Sequence, residues 1–189
     1  KPILWHLMNI FSLQGLNEFI ISTGYKSEII ENWVQNNQIF DSNLNRMKIS
    51  IINTGLHTQT GGRISEIMKI FPGEDFIATY GDGLANVPIK KLLNFHYSHG
   101  NLATVTAVRP PARFGYMKIK KNVVTHFGEK NQSDEGWING GFFVLNSKVK
   151  DYVKSIDEPF ETGALVRLAN ESKLIAFHHK GFWQPMDTL

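Results

Sequence analysis

Three short runs rich in β-branched and aromatic residues, at 18–22 (EFIIS), 48–53 (KISIIN) and 75–80 (DFIATY), are separated by segments with helical patterning. This alternation constrains the fold more than any other feature. Strands joined through helices need crossover connections, which lay the strands parallel and put helices on both faces of the sheet. The first half therefore reads as α/β with a mostly parallel sheet. The second half is richer in short strands, near 102–108, 116–119, 123–127, 137–145 and 174–177, and predicts a mixed extension. The chain opens on a helical pattern: Ile3, Leu4, Leu7, Met8, Ile10, Phe11 and, after Gly15, Leu16 fall at spacings that mix three and four. An α/β domain that starts on a helix lacks the strand that normally precedes it, so residues upstream of Lys1 are expected.

Punctuation residues set the remaining boundaries. Gly15 caps the first helix, Ser27 is an N-cap for a helix over 28–35, and 36–47 reads as a polar loop or a splice. A Gly/Thr loop fills 54–62 and a helix follows over 63–70. Pro88 opens a helix that runs to about His99 and stops at Gly100. A tight turn falls at Lys121-Asn122, and short helices are expected over 148–155 and 162–170. With 189 residues and 42% hydrophobic content, the chain holds one sizeable core, read as a single domain over 1–189 that is incomplete at both ends and near 36–47.

Composition excludes several classes of function. The net charge is +3, with 20 basic against 17 acidic residues, and no Lys/Arg run has the density of a nucleic-acid arm. The absence of cysteine rules out disulfides, thiol catalysis and thiolate metal sites, and is compatible with a reducing cytoplasm. No apolar run approaches a membrane span of about 20 residues. Nucleic acid and membrane are thus not expected partners.

The chemistry-bearing residues cluster in a few motifs. The strand at 75–80 ends in Gly81-Asp82-Gly83. A carboxylate flanked by glycines at the carboxyl end of a buried strand suits a metal or a phosphate-bearing ligand, because ligands of open α/β sheets sit beyond those strand ends; the plain alternative is a turn aspartate bonding its own backbone. A second aspartate, Asp187, follows Phe182-Trp183-Gln184-Pro185-Met186. Two carboxylates plus substrate phosphates make a workable Mg²⁺ site, although Asp187 alone could equally cap a helix. Glu129-Lys130 and, after it, Asn139-Gly140 offer a carboxylate and an amide for sugar hydroxyls, an ammonium for phosphate, and a close backbone approach; an exposed ion pair on a hairpin is the competing reading of Glu129-Lys130. Gly61 and Gly62, ahead of Arg63, could present amides and a guanidinium to a nucleotide, although no Lys-Ser/Thr follows to make a P-loop. His178-His179 point to opposite faces of a strand and lack a third ligand, so no metal is expected there.

In this order, the motifs Lys1-Pro2-Ile3-Leu4-Trp5-His6, Thr60-Gly61-Gly62-Arg63, Tyr80-Gly81-Asp82-Gly83, Pro110-Pro111-Ala112-Arg113-Phe114-Gly115, Glu129-Lys130, Ile138-Asn139-Gly140-Gly141-Phe142-Phe143 and Gly181-Phe182-Trp183-Gln184-Pro185-Met186-Asp187-Thr188 resemble the sugar-1-phosphate nucleotidylyltransferases. The resemblance covers almost the whole chain and is nearest to the family's cytidylyl branch, which acts on glucose 1-phosphate. It implies a Rossmann-like nucleotidyltransferase core and a cytoplasmic homo-oligomer. The implied reaction is CTP plus glucose 1-phosphate giving CDP-glucose and pyrophosphate, for surface-polysaccharide sugars. It also implies Mg²⁺ on Asp82 and Asp187, the sugar phosphate on Lys130, the sugar hydroxyls on Glu129, Asn139 and the Gly140 backbone, the nucleotide at Gly61, Gly62 and Arg63, and Tyr80 in the pocket wall. A Gly-rich loop that holds the triphosphate in this family falls upstream of Lys1. Asn86, Asn131 and Gly163-Ala164-Leu165 depart from the family pattern and bear on sugar identity. Two alternatives stay open at this level: a nucleotidyltransferase for another phosphorylated acceptor, and a binding domain without turnover.

Overall fold

The computed structural model describes residues 1–38, 41–109, 115–120, 122–129 and 136–186, with backbone alone at 38, 115–120 and 125–129. The elements run α1 (Ile3–Ser12), β1 (Glu18–Thr23), α2 (Ser27–Gln38), a 3-10 turn (Leu44–Arg46), β2 (Lys48–Asn53), α3 (Thr60–Ile70), β3 (Phe76–Thr79), β4 (Gly83–Ala85), α4 (Ile89–His99), β5 (Ala103–Val108), β6 (Gly115–Lys120), β7 (Val123–Glu129), β8 (Ile138–Leu145), a second 3-10 turn (Ser147–Tyr152), α5 (Ala164–Asn170), β9 (Leu174–His178) and β10 (Trp183–Pro185).

The central sheet has the order β3-β8-β5-β9. β3, β5 and β9 share one direction and β8 runs against them, so the sheet is mixed. β8 is buried from Gly140 to Leu145, as a strand covered on both faces must be. Its side chains alternate between two cores. Phe143 and Leu145 pack with Met68 of α3 and with Ala164, Leu165 and Leu168 of α5. Phe142 and Val144 pack with Leu7 and Phe11 of α1 and with Ile89 and Leu92 of α4. The period of two along β8 therefore places one helix pair on each face. β1 and β2 form a separate parallel pair, Glu18 opposite Lys48 through Thr23 opposite Asn53, packed with α1, α2 and the first 3-10 turn around Met8, Leu44 and Met47. β6 and β7 form an antiparallel hairpin whose turn carries Asn122 at φ 68°.

Gly15 caps α1 as the sequence reads, and two later boundaries differ from that reading, each for a local reason. α1 stops at Ser12, and a Schellman closure follows: Gly15 takes φ 92°, its N–H donates to Ser12 O, and Leu16 N–H donates to Phe11 O. α2 continues through the polar residues to Gln38 rather than stopping at 35, and Asn37 turns its amide back onto Trp33 O at 2.8 Å. α3 starts at Thr60, so Gly61 and Gly62 belong to its first turn rather than to a loop.

Candidate active site

The turn after β3 carries Asp82, and the short strand β4 follows it directly. β4 pairs antiparallel with β10, Gly83 opposite Pro185 and Ala85 opposite Trp183. Neither strand is predicted by the sequence pattern, because three residues are too few to show a period. The ladder is closed at both ends: Met186 N–H donates to Asp82 O at 2.7 Å and Asn86 N–H donates to Phe182 O at 3.1 Å. The Gly-Asp-Gly turn and the Phe-Trp-Gln-Pro-Met stretch thus become one structural unit. Asp187 and Lys130 lie outside the described residues, as do 110–114 of the Pro-Pro-x-Arg-Phe-Gly motif. Glu129 ends β7 opposite Gly115, with its backbone alone described.

Asp82 lines a cavity of about 480 Å³ together with Thr60, Tyr80, Gly81 and Glu161. Its side chain is exposed and, among the described residues, takes no hydrogen bond or ion pair. Gly81 and Gly83 have no positive φ, and among the described residues, chain neighbours aside, no atom lies within 4 Å of where a Cβ would stand on either. What these glycines face is open space, which leaves room for a ligand to approach the backbone.

Tyr80 forms the wall. Its phenol donates to Glu161 Oε1, and Thr60 Oγ1 donates to Glu161 Oε2 at 2.9 Å. Thr60 in turn accepts the Phe160 N–H at 2.8 Å. Burial, and next the adjoining Glu161 carboxylate, raise the Tyr80 phenol well above its ordinary pKa, with the Asn139 side chain opposing. Tyr80 therefore stays a neutral donor throughout the physiological range. Glu161 has no counterpart in the sequence reading; nothing in Phe160-Glu161-Thr162 marks it before the fold sets it beside Tyr80.

Asn139 and Gly140 sit where β8 leaves its register with β5. Between the pairs Val105–Phe143 and Ala107–Asn139, one residue of β5 faces three of β8. The bulge re-aims the chain. Gly141 adopts φ 77° and lies under the Tyr80 ring, so close that a Cβ would stand 2.8 Å from Cδ2. Asn139 Oδ1 accepts the Gly141 N–H at 2.9 Å, and Trp183 Nε1 donates to Gly140 O at 2.8 Å. The last strand is thereby tied to the bulge, and Asn139, Gly140, Tyr80 and Asp82 share one side of the molecule.

Gly61, Gly62 and Arg63 are not in the cavity wall. The two glycines are buried, and added Cβ atoms would stand 2.6 Å from Glu158 O and 2.3 Å from Ile156 O respectively. Their absent side chains let α3 pack onto the 156–160 segment. The Gly61 N–H, proposed from sequence to meet a nucleotide, donates to Glu158 O at 3.1 Å. Arg63 Nη1 donates to Thr23 O and Thr54 Oγ1, both at 2.6 Å, and Nη2 to Gly55 O at 3.1 Å. Its guanidinium thus clamps the carboxyl ends of β1 and β2. His179 is buried with Nε2 against Phe182 O at 3.1 Å, and His178 meets Trp137 edge-on at 4.5 Å. Among the described residues no three His, Asp or Glu side chains are grouped to hold a metal.

An exposed carboxylate at a strand end, a bulged strand beside it and the hydroxyls of Thr60 and Tyr80 meet on one side of an α/β fold. Comparison with known proteins supplies the family: the family model for nucleotidyl transferases matches residues 1–186, and the chain belongs to that family. It is 41% identical over 206 aligned positions to the glucose-1-phosphate cytidylyltransferase of Salmonella typhimurium, covering 100% of this chain and 80% of that protein. It is 40% identical to the probable glucose-1-phosphate cytidylyltransferase of Bacillus subtilis, with the same coverage. Among solved structures, HddC from Yersinia pseudotuberculosis complexed with GMP-PN superposes with TM-score 0.70 at 25% identity, over 98% of this chain and 80% of that one. The fold is accordingly the Rossmann-like nucleotidyltransferase core.

Proposed function

We propose that this protein transfers the cytidylyl group of CTP to glucose 1-phosphate, giving CDP-glucose and pyrophosphate. The observation that carries the reading is 41% identity to a glucose-1-phosphate cytidylyltransferase over the entire chain. The joined β4–β10 unit at the cavity supports it with local geometry.

An anionic oxygen of the sugar phosphate attacks the α-phosphorus of CTP. The new P–O bond forms as the bond from the α-phosphorus to the oxygen bridging to the β-phosphate breaks, and pyrophosphate leaves with that electron pair. The nucleophile is already ionised, so no proton needs to be removed. Positioning and charge neutralisation then supply most of the rate.

The donor set fits Mg²⁺. Asp82 presents an uncommitted carboxylate to the cavity, and the Met186–Asp82 hydrogen bond puts the residue preceding Asp187 against the same turn. Mg²⁺ is commonly held by one or two carboxylates plus substrate phosphates. When bound, Mg²⁺ would neutralise charge on the phosphates. Asp82 and Asp187 would hold it, Lys130 would hold the sugar phosphate, and Glu129, Asn139 and the Gly140 backbone would take sugar hydroxyls. Tyr80 walls the pocket. Gly61, Gly62 and Arg63 would act on the nucleotide indirectly, by fixing α3 and the ends of β1 and β2. The reading includes self-association of the chain, which light scattering measures. No helix among the described residues is long and apolar enough to cross a membrane.

The test offers the full-length protein Mg²⁺ and each of CTP, UTP, GTP and dTTP against several sugar 1-phosphates, with pyrophosphate release as the readout. Release is expected with CTP and glucose 1-phosphate. Release only with a different pair would replace the proposed substrates, and no release with any pair would favour a binding domain.

A further inference from the structure

We infer that Glu161 reads the sugar: its carboxylate accepts one ring hydroxyl of the sugar phosphate and thereby sets which sugars the site accepts. The inference rests on reading the cavity as the sugar-phosphate site and assigns a residue that reading does not use.

Glu161 lines the cavity that Asp82 also lines. Its two oxygens each accept one hydroxyl, from Tyr80 at Oε1 and from Thr60 at Oε2. A carboxylate offers about four acceptor positions, so roughly half of its capacity stays unused. Among the described residues no Lys or Arg pairs with it. The carboxylate is fixed from two directions. Thr60 opens α3 and is itself held by the Phe160 N–H; Tyr80 follows β3 and is held by its packing over Gly141. A group that is oriented in advance, retains acceptor capacity and faces a cavity is built to receive a donor. Tyr80 also joins Glu161 to Asn139, whose amide both donates and accepts. Together they offer a polyol two neighbouring polar partners, and a polyhydroxyl ring supplies donors without bringing a charge that Glu161 would need to neutralise.

A site that hydrogen-bonds a substrate hydroxyl discriminates strongly against the analogue that lacks it, because its own polar group is then left unpaired. The experiment crosses variant with substrate. kcat/KM is measured with CTP and glucose 1-phosphate, and with its 2-, 3-, 4- and 6-deoxy analogues, for wild type and Glu161→Gln. In wild type at least one analogue is expected to be poorer than glucose 1-phosphate by about tenfold or more. In Glu161→Gln that particular penalty shrinks to about twofold or less, while the other analogues keep theirs and KM for CTP stays the same. A merely structural role would lower all substrates by a common factor, and that result overturns the inference. Glu161→Asp, which keeps the charge and shortens the reach, is expected to retain part of the discrimination. Calorimetric binding of the same sugar phosphates decides the matter if Glu161→Gln turns over too slowly. Wild type that neither binds nor converts glucose 1-phosphate would sink the proposed function itself, and this inference with it. Uniform loss in an active enzyme sinks only the role of Glu161.

Discussion

The backbone N–H of Met186 donates to the carbonyl oxygen of Asp82 at 2.7 Å. With the β4–β10 ladder, this bond joins the turn after β3 to the last described strand and sets the residue before Asp187 against that turn. Asp82→Asn removes charge from an exposed side chain without a described partner, so stability should stay within about 0.5 kcal/mol of wild type. Pyrophosphate release should fall by about a hundredfold or more, and Asp187→Asn should behave alike. A near-normal rate in either variant removes that residue from the metal site.

Trp183→Phe deletes the N–H that holds Gly140 O at 2.8 Å while keeping most of the ring in the core formed with Phe142 and Val144. The lost bond should cost about 1 kcal/mol. KM for glucose 1-phosphate is expected to rise about fivefold with KM for CTP little changed. Equal rises in both would show that Trp183 supports the fold generally rather than the bulge.

Two glycines separate packing from function. Gly62→Ala drives a Cβ to 2.3 Å from Ile156 O and 2.7 Å from its Cα, backbone atoms that cannot step aside, and should cost about 1–3 kcal/mol in urea unfolding. Gly81→Ala meets nothing within 4 Å and should unfold like wild type. It should nevertheless raise KM for substrate, because the space it enters belongs to the cavity. Unchanged stability in Gly62→Ala would refute the packing role given to that residue.

Acid should destabilise the fold through the buried His96 and the half-buried His99. Asn101 N–H donates to His99 Nδ1, so His99 carries its proton on Nε2 and donates it to Thr104 Oγ1 at 2.8 Å; the Thr104 hydroxyl then donates to His96 Nδ1, also at 2.8 Å. Burial lowers the pKa of both rings; the neighbouring His99 lowers His96 further, and Asp75 opposes this. The unfolded chain therefore binds more protons than the folded one below about pH 6.5. Stability from this pair is complete above that pH and declines as pH falls toward the lowered folded values. The urea midpoint should drop between pH 7 and pH 5.5, and drop less in His99→Gln. A flat midpoint in wild type across that range would contradict the arrangement.

The elements that were legible in the sequence share a property: their signals are local. The bounds of β2 follow from Lys48–Asn53 alone, and α4 lies between Pro88 and Gly100 as the punctuation requires. What was hidden depends on distant partners. β4 and β10 are strands only because each has the other. Thr60-Gly61-Gly62 reads as a loop by glycine propensity, yet close packing on the 156–160 segment makes it helix. The reversed direction of β8 is set by the strands on either side, not by its composition. Asp82, Tyr80, Asn139 and Gly140 stand out in the sequence as motifs, whereas Glu161 beside the cavity required β3 and α3 to bring Tyr80 and Thr60 against it.

Cytidylyl transfer as proposed needs Asp82 and Asp187 to share one divalent ion beside the β4–β10 unit. Electron paramagnetic resonance of Mn²⁺ bound to the full-length protein with CTP tests it most directly, with pyrophosphate release followed in the same samples. Wild type should hold the ion and turn over with glucose 1-phosphate, and Asp82→Asn and Asp187→Asn should each weaken Mn²⁺ binding about tenfold or more while remaining folded. Wild-type Mn²⁺ affinity and turnover in Asp82→Asn would rule out the proposed metal site.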